Sequence, residues 1–277
     1  MSDSKSEAKR RHIKAELRNE TYAVRQATKI WYEKPSASNP YIADEVFCHG
    51  YNLQELTAKK SFIEVLYLLF KGDLPSKAQA SLLEWAFIAF INPGTRHPAT
   101  RAAMQAAVGK THFSHVLPIA LTVMGGNFAA AGEVEPAMRF VLKNRNTAPN
   151  DLIGEYEGRS EVLLAPGVFP GFGSVYNGVD ELTVATLAEF AEHESAGDCL
   201  AWARALSETL QPHGMGVLPT GLAAAIFCDL GFTPMAGVGL YQLMSAPGLL
   251  AHGLEYAKKP RTAVPFISDS NYVIEDE

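Results

Sequence analysis

Apolar residues recur at helical spacing along most of the chain. Phe62, Val65, Leu66, Leu69 and Phe70 fall on one face of a run that opens at Ser61 and stops at Gly72. Glu64 stands three residues after Ser61, and that pair makes a capping box, each side chain satisfying a backbone amide of the first turn. Ser76 opens a second predicted helix through Leu82, Leu83, Trp85, Phe87 and Phe90, closed by Asn92-Pro93-Gly94. A third spans residues 98–108, and a fourth, 116–124, is apolar on most faces, which reads as a buried helix ended by Gly125 and Gly126. An amphipathic piece follows Glu133 as far as Lys143. Further on, 181–193 and 198–210 read as helices joined at Gly197. Pro219 and Pro234 stand where a first turn tolerates a missing N–H, Gly231 ends the helix between them, Thr233 caps the next, and 249–256 is one more segment. About ten helical segments, with no alternating run long enough for a strand, predict an all-α fold.

The interruptions organise the rest. Residues 1–20 are charged and lack an apolar stripe, so they read as an arm, and 30–51 is loop-like, with Pro35, Ser36, Ser38, Asn39 and Pro40 in quick succession. The polar segment 144–160 is the best boundary between lobes. Between Pro166 and Gly178, four glycines and two prolines break every period while Val168, Phe169, Phe172, Val175 and Tyr176 keep the stretch apolar. Such a loop is packed and shaped, with glycines where the backbone must approach something closely. It reads either as a buried turn or as backbone presented to a ligand.

Composition narrows the functional classes. A formal charge of −6 argues against nucleic acid as a partner, because phosphate binding needs a concentrated basic face. The one basic cluster, Lys9 to Arg18, is interleaved with Glu7, Glu16 and Glu20. Three cysteines, Cys48, Cys199 and Cys228, are far apart and lack the spacing of a zinc site, so no metal is expected and a reducing compartment is. No signal-peptide pattern and no apolar run of the roughly 18–20 residues that a membrane helix needs is present. A cytoplasmic protein without a membrane partner is the expectation.

Several stretches, taken in order, carry a resemblance. They are Gly50-Tyr51 with Leu53 to Leu56, the Ser61–Phe70 helix followed by Gly72-Asp73-Leu74-Pro75, then Val168-Phe169-Pro170-Gly171-Phe172-Gly173, and finally Gly248-Leu249-Leu250-Ala251-His252. From Trp31 onward the chain resembles the citrate synthase family. Asn127-Phe128-Ala129-Ala130-Ala131 and the tail from Pro265 to Val273 lean towards the citryl-CoA lyase module of ATP-citrate lyase. The resemblance implies a large helical domain from 31–143 and 215–277, a small helical domain inserted at 144–214, and an arm at 1–30. It also implies an obligate homodimer closing over a cleft, with a coenzyme A thioester as substrate or ligand. Val168, Phe169, Gly171, Phe172 and Gly173 would line the acyl-CoA site.

The family's chemistry makes or breaks a carbon–carbon bond beside a thioester through an enolate. That step needs a carboxylate base, donors for the oxyanion, and arginines for the substrate carboxylates. Here Ser174 stands where the resemblance expects the catalytic histidine, and Thr220 where it expects the aspartate. Phe128 replaces the synthases' other histidine, as it does in the lyase module. Ser245 falls near an expected arginine, and Val264-Pro265-Phe266 replaces Arg-Pro-Arg. Arg261 reads either as a substitute clamp or as solvated surface. A threonine hydroxyl needs another group to activate it, and His213, a few residues upstream, reads either as a base to Ser174 or Thr220 or as a loop or interface histidine. His97 and His115 read as packed or solvent-facing, and His252 as structural.

Three functions stay open on these residues: a family-type enzyme with a rearranged mechanism and a less acidic partner, an inactive acyl-CoA sensor or partner of an active paralogue, and a structural helical assembly protein.

Overall fold

A computed structural model describes residues 27–154, 168–265 and 267–275. Most of the predicted arm at 1–30 lies outside the described residues. The chain divides into two compact units, one ending at Lys59 and the other beginning at Lys60.

In the first unit, β1 (Trp31–Pro35) pairs antiparallel with β2 (Ala43–Cys48), and β2 with β3 (Tyr51–Asn52), which runs into α1 (Leu53–Lys59). The stretch expected to be loop-like is therefore a three-stranded sheet. Its Pro35–Pro40 cluster is the β1–β2 turn, closed by Ser36 N–H donating to Ile42 O at 2.8 Å. The strands escaped notice because β1 is exposed at every position, so no buried face imposes an alternating pattern.

The second unit is helical. It runs through α2 (Phe62–Lys71), α3 (Lys77–Ala89), α4 (Pro98–Val108), α5 (Phe113–Met124), α6 (Val134–Asn144) and α7 (Pro149–Gly154), then α8 (Glu181–Ala191), α9 (Asp198–Leu210), α10 (Pro219–Asp229) and α11 (Pro234–Ala257). Both capping boxes form: Ser61 with Glu64 opens α2, Ser76 with Gln79 opens α3, and Gly72 at φ 81° ends α2 in the left-handed conformation. At the centre lies α10, buried at every residue from Thr220 to Cys228. It packs against α6 and α9, while α11 packs along α4, α5 and α6. The Asp229 carboxylate, at the end of α10, accepts from the amides of Gly197 (2.8 Å), Cys199 (2.9 Å) and Leu200 (3.0 Å). Those amides have no partner inside α9, so one side chain fixes its start against α10.

Three expectations change. The helical segments around 234 and 249–256 are one 24-residue helix, α11, which continues through Pro247; the Gly248 N–H leaves the ladder to donate to Ile91 O at 2.9 Å. The apolar helix expected to be buried, α5, buries Val116, Ala120 and Met124 but exposes Ile119 and Val123, because α4 and α11 cover only one side of it. Short strands also enter this unit: β4 (Phe172–Gly173) pairs antiparallel with β5 (Gly216–Val217). One hydrophobic cluster joins α8 and α9, through Leu187, Trp202 and Leu206, to the residues of α10.

Candidate functional site

The glycine-rich loop and the start of α10 cross in backbone contact. Gly171, at φ 82°, faces Gly221, and a Cβ on Gly221 would lie 2.0 Å from the Gly171 carbonyl oxygen. That oxygen accepts from Leu218 N–H at 2.9 Å. Two glycines 50 positions apart are required for one crossing, so the close approach at Gly171 is to α10.

The loop's aromatic side chains hold this crossing from behind. Phe169 and Phe172 are buried against Phe140, with ring centroids at 6.0 and 6.2 Å, and Trp202 closes on Phe140 at 5.6 Å. Phe169 and Phe172 thus sit in the core; Val168 packs partly buried against it, and Gly173 pairs with Gly216. Ser174, next in line, is exposed. A two-residue hairpin follows, closed by mutual Val175–Gly178 bonds of 2.8 and 3.0 Å, with Tyr176 (φ 48°) and Asn177 (φ 64°) at its tip as in primed turns.

At the first turn of α10, Thr220 is fully buried and its hydroxyl donates to Glu133 Oε2 at 2.9 Å. Glu133, half-buried, ends the 3₁₀ turn Ala131–Glu133 that leads into α6. Beside it, burial pushes the Tyr241 phenol above its usual range, and the Glu133 charge adds to the rise. Tyr241 therefore stays a protonated hydrogen-bond donor.

A cavity of about 410 Å³ opens beside the start of α10, bordered by Pro219 and Leu222 of α10, Tyr241 and Ser245 of α11, and by Ala129, His97 and Asp180; Thr220, Glu133 and the described residues of the glycine-rich loop stand behind its wall. Ser245, buried and one turn beyond Tyr241, occupies the wall where the resemblance expects an arginine. His97 accepts from Ala99 N–H through Nδ1 (3.1 Å) and donates through Nε2 to Ala129 O (2.9 Å), so both ring nitrogens are used within the protein. Asp180 caps α8, accepting from the Thr183 amide (3.2 Å) and hydroxyl (2.7 Å). Asn92, also in the wall, bonds His252 at 3.1 Å, and a Cβ on Gly248 would lie 2.6 Å from Asn92 Cα. The closing Gly-Leu-Leu-Ala-His motif thus packs against the turn that borders the cavity.

The remaining predicted residues lie apart. Phe128 is 84% exposed on its loop. His213, in the 3₁₀ turn Gln211–His213, is exposed and makes no hydrogen bond to Ser174 or Thr220 among the described residues. Arg261 is exposed in a second such turn and does not border the cavity. His115 is exposed on α5, its ring near that of His112. Of the predicted set, Ser245 borders the cavity, while Gly171 and Thr220 lie at the loop crossing next to it. Sequence reading missed Glu133, Asp180 and Tyr241. Glu133 resembles an ordinary first-turn acid, Asp180 an ordinary cap, and Tyr241 a core aromatic, so none carried a separate signal.

No protein-family model and no curated protein matches the chain. Solved structures do. Citryl-CoA lyase from Hydrogenobacter thermophilus matches with a TM-score of 0.73 at 24% identity, covering 91% of this chain and 94% of that one. ATP citrate lyase from Methanothrix soehngenii, in complex with citrate and coenzyme A, matches at 0.67 and 18% identity over 96% of this chain, which spans 45% of that one. Citrate synthase from the archaeon Thermoplasma acidophilum, in a ternary complex with carboxymethyl coenzyme A and oxaloacetate, matches at 0.59 and 16% over 78% and 58% of the two chains. The chain has the citrate synthase-like, all-α fold that its sequence motifs imply.

Proposed function

We propose that this protein binds an acyl-CoA thioester and performs carbon–carbon lyase or synthase chemistry on a partner other than citrate. The observation that carries the reading is the cavity beside the start of α10, bordered by Pro219 and Leu222, which flank the turn that the glycine-rich loop crosses at Gly221. Three neighbours of this fold, solved with citrate and coenzyme A, with citryl-CoA, or with carboxymethyl coenzyme A and oxaloacetate, support a thioester as ligand.

The lining chemistry argues for the altered partner. Among the described residues no lysine or arginine borders the cavity, and Asp180 brings a carboxylate to its wall. A tricarboxylate entering there would be desolvated without a cation to pair with, a cost of several kcal/mol per ion. A neutral carbonyl partner meets instead the hydroxyls of Ser245 and Tyr241 and the amide of Asn92. Residues 144–214 are proposed as the smaller lobe that closes over this cleft, and the working unit as a cytoplasmic homodimer.

A second reading is favoured by one set of facts: Ser174 and His213 are exposed and, among the described residues, make no nucleophile–base pair. On that reading the chain is an inactive acyl-CoA sensor or the partner of an active paralogue.

Calorimetry with acetyl-CoA, followed by coenzyme A release from citryl-CoA and from thioesters of neutral hydroxyacyl groups, separates the readings. Saturable binding and release from a neutral substrate in preference to citryl-CoA are expected. Binding without turnover of any thioester leaves the sensor, and no heat at all removes both.

A further inference from the structure

We infer that Glu133 is the general base of this protein, supplying from the start of α6 the carboxylate that the first turn of α10 lacks. The inference rests on the acyl-CoA reading above. Thr220 stands where a base is expected, but it is fully buried and its hydroxyl proton is committed to Glu133 Oε2 at 2.9 Å. Glu133 is half-buried, and Thr220 is the one hydrogen-bond partner of its carboxylate among the described residues, which leaves Oε1 to accept a proton. It stands directly behind the cavity wall. Ala129 lies four residues before it, Pro219 adjoins Thr220, Tyr241 feels its charge, and these three neighbours border the cavity.

The titratable groups that line the cavity are occupied. Both nitrogens of His97 are bonded within the protein, Asp180 is turned onto its own helix as a cap, and Tyr241 is held protonated. Thr220 acts as a positioning residue: by fixing Oε2 it leaves the second oxygen in one orientation. In the step itself the α-C–H bond of the thioester breaks and its proton passes to Glu133 Oε1. The bonding pair becomes the C=C of the enolate, and the carbonyl π pair moves onto the thioester oxygen. Reversal from a deuterated carboxyl labels the acyl group, so the step is visible without the second substrate.

The test uses the full chain with acetyl-CoA in D₂O, exchange followed by proton NMR and binding by calorimetry. Glu133→Gln keeps an oxygen acceptor for Thr220, and it should bind as the parent does while exchanging about 100-fold more slowly or worse, the range for a lost general base. Thr220→Val should lose exchange with binding unchanged, and Thr220→Ser should restore it, which a merely structural hydroxyl would not do. Thermal unfolding of each variant confirms that it folds, and Glu133→Asp, which keeps the carboxylate, should retain measurable exchange. If Glu133→Gln exchanges at the parental rate, or if the parent binds acetyl-CoA without exchanging its protons, the assignment of Glu133 is overturned while the acyl-CoA reading stands. If the parent binds no thioester, that reading fails and the inference falls with it.

Discussion

The Thr220 hydroxyl and the Glu133 carboxylate lie 2.9 Å apart, so a charge placed on one is felt by the other. Thr220→Asp would restore the residue type that the resemblance expects, yet it sets a second carboxylate against the first. Two carboxylates at about 3 Å share one proton, and the pair titrates with one apparent pKa raised. A carboxyl whose folded pKa is raised stabilises the fold below the ordinary carboxylate pKa of about 4, and that contribution is lost as pH rises towards the raised value. The melting temperature of Thr220→Asp should therefore fall relative to the parent as pH increases from about 4 to 8. Combining it with Glu133→Gln should reduce the slope to the part that burial of the new carboxyl alone produces; an undiminished slope would mean that the two positions do not interact. The same pair marks the limit of reading single residues from sequence. Thr220 could be placed from sequence because the run that follows it, Gly221 to Leu230, resembles the lyase module. Its contact with Glu133 could not, because Glu133 lies 87 positions away and meets Thr220 only through the packing of α6 on α10.

The crossing of the β4 loop over the start of α10 depends on two glycines with no room for a side chain. A Cβ on Gly221 would meet the Gly171 carbonyl at 2.0 Å, and both partners are backbone, so relief requires the loop to lift. Overpacking of this kind costs about 1–3 kcal/mol and more where backbone must move. Gly221→Ala should lower the melting temperature and weaken acetyl-CoA binding together. Gly173→Ala is the control, since its Cβ would find only Leu218 Cδ1 at 3.6 Å. Equal stability of the two variants would show the crossing to be looser than drawn. Helix boundaries were the most legible elements, because caps such as Ser61 with Glu64 act within a few residues. The strands were not, since β4 gains its pairing from β5, more than 40 residues on, and β1 has no buried face to betray it. The continuity of α11 was hidden for a related reason: its break at Pro247 is absorbed by a bond from Gly248 to Ile91, a partner that local sequence does not reveal.

At the scale of the whole molecule, the fold was legible from the order of weak motifs, each of which is ambiguous alone. Which helix face meets a partner was not, because periodicity marks apolar positions without saying what covers them. On α5, Ile119 and Val123 lie one turn apart and each is 38% exposed, while Phe113 at its start is 60% exposed. Phe113 and Leu254 of α11 border a second cavity, of about 500 Å³, with Ala251 beside them. A neighbouring stretch of apolar surface on two helices is what an interaction face presents to water before its partner arrives. Were the proposed homodimer to form here, the occupant would be a second copy laying the same helices against this surface. Ile119→Glu combined with Val123→Glu would bury two unpaired carboxylates in such an interface, each costing several kcal/mol. Both side chains are already partly in water in the single chain, so its own fold should tolerate the change. Light scattering should then report twice the chain mass for the parent and a single chain mass for the double variant, with helical content unchanged by circular dichroism. A double variant that keeps the parental mass would move the proposed interface away from α5.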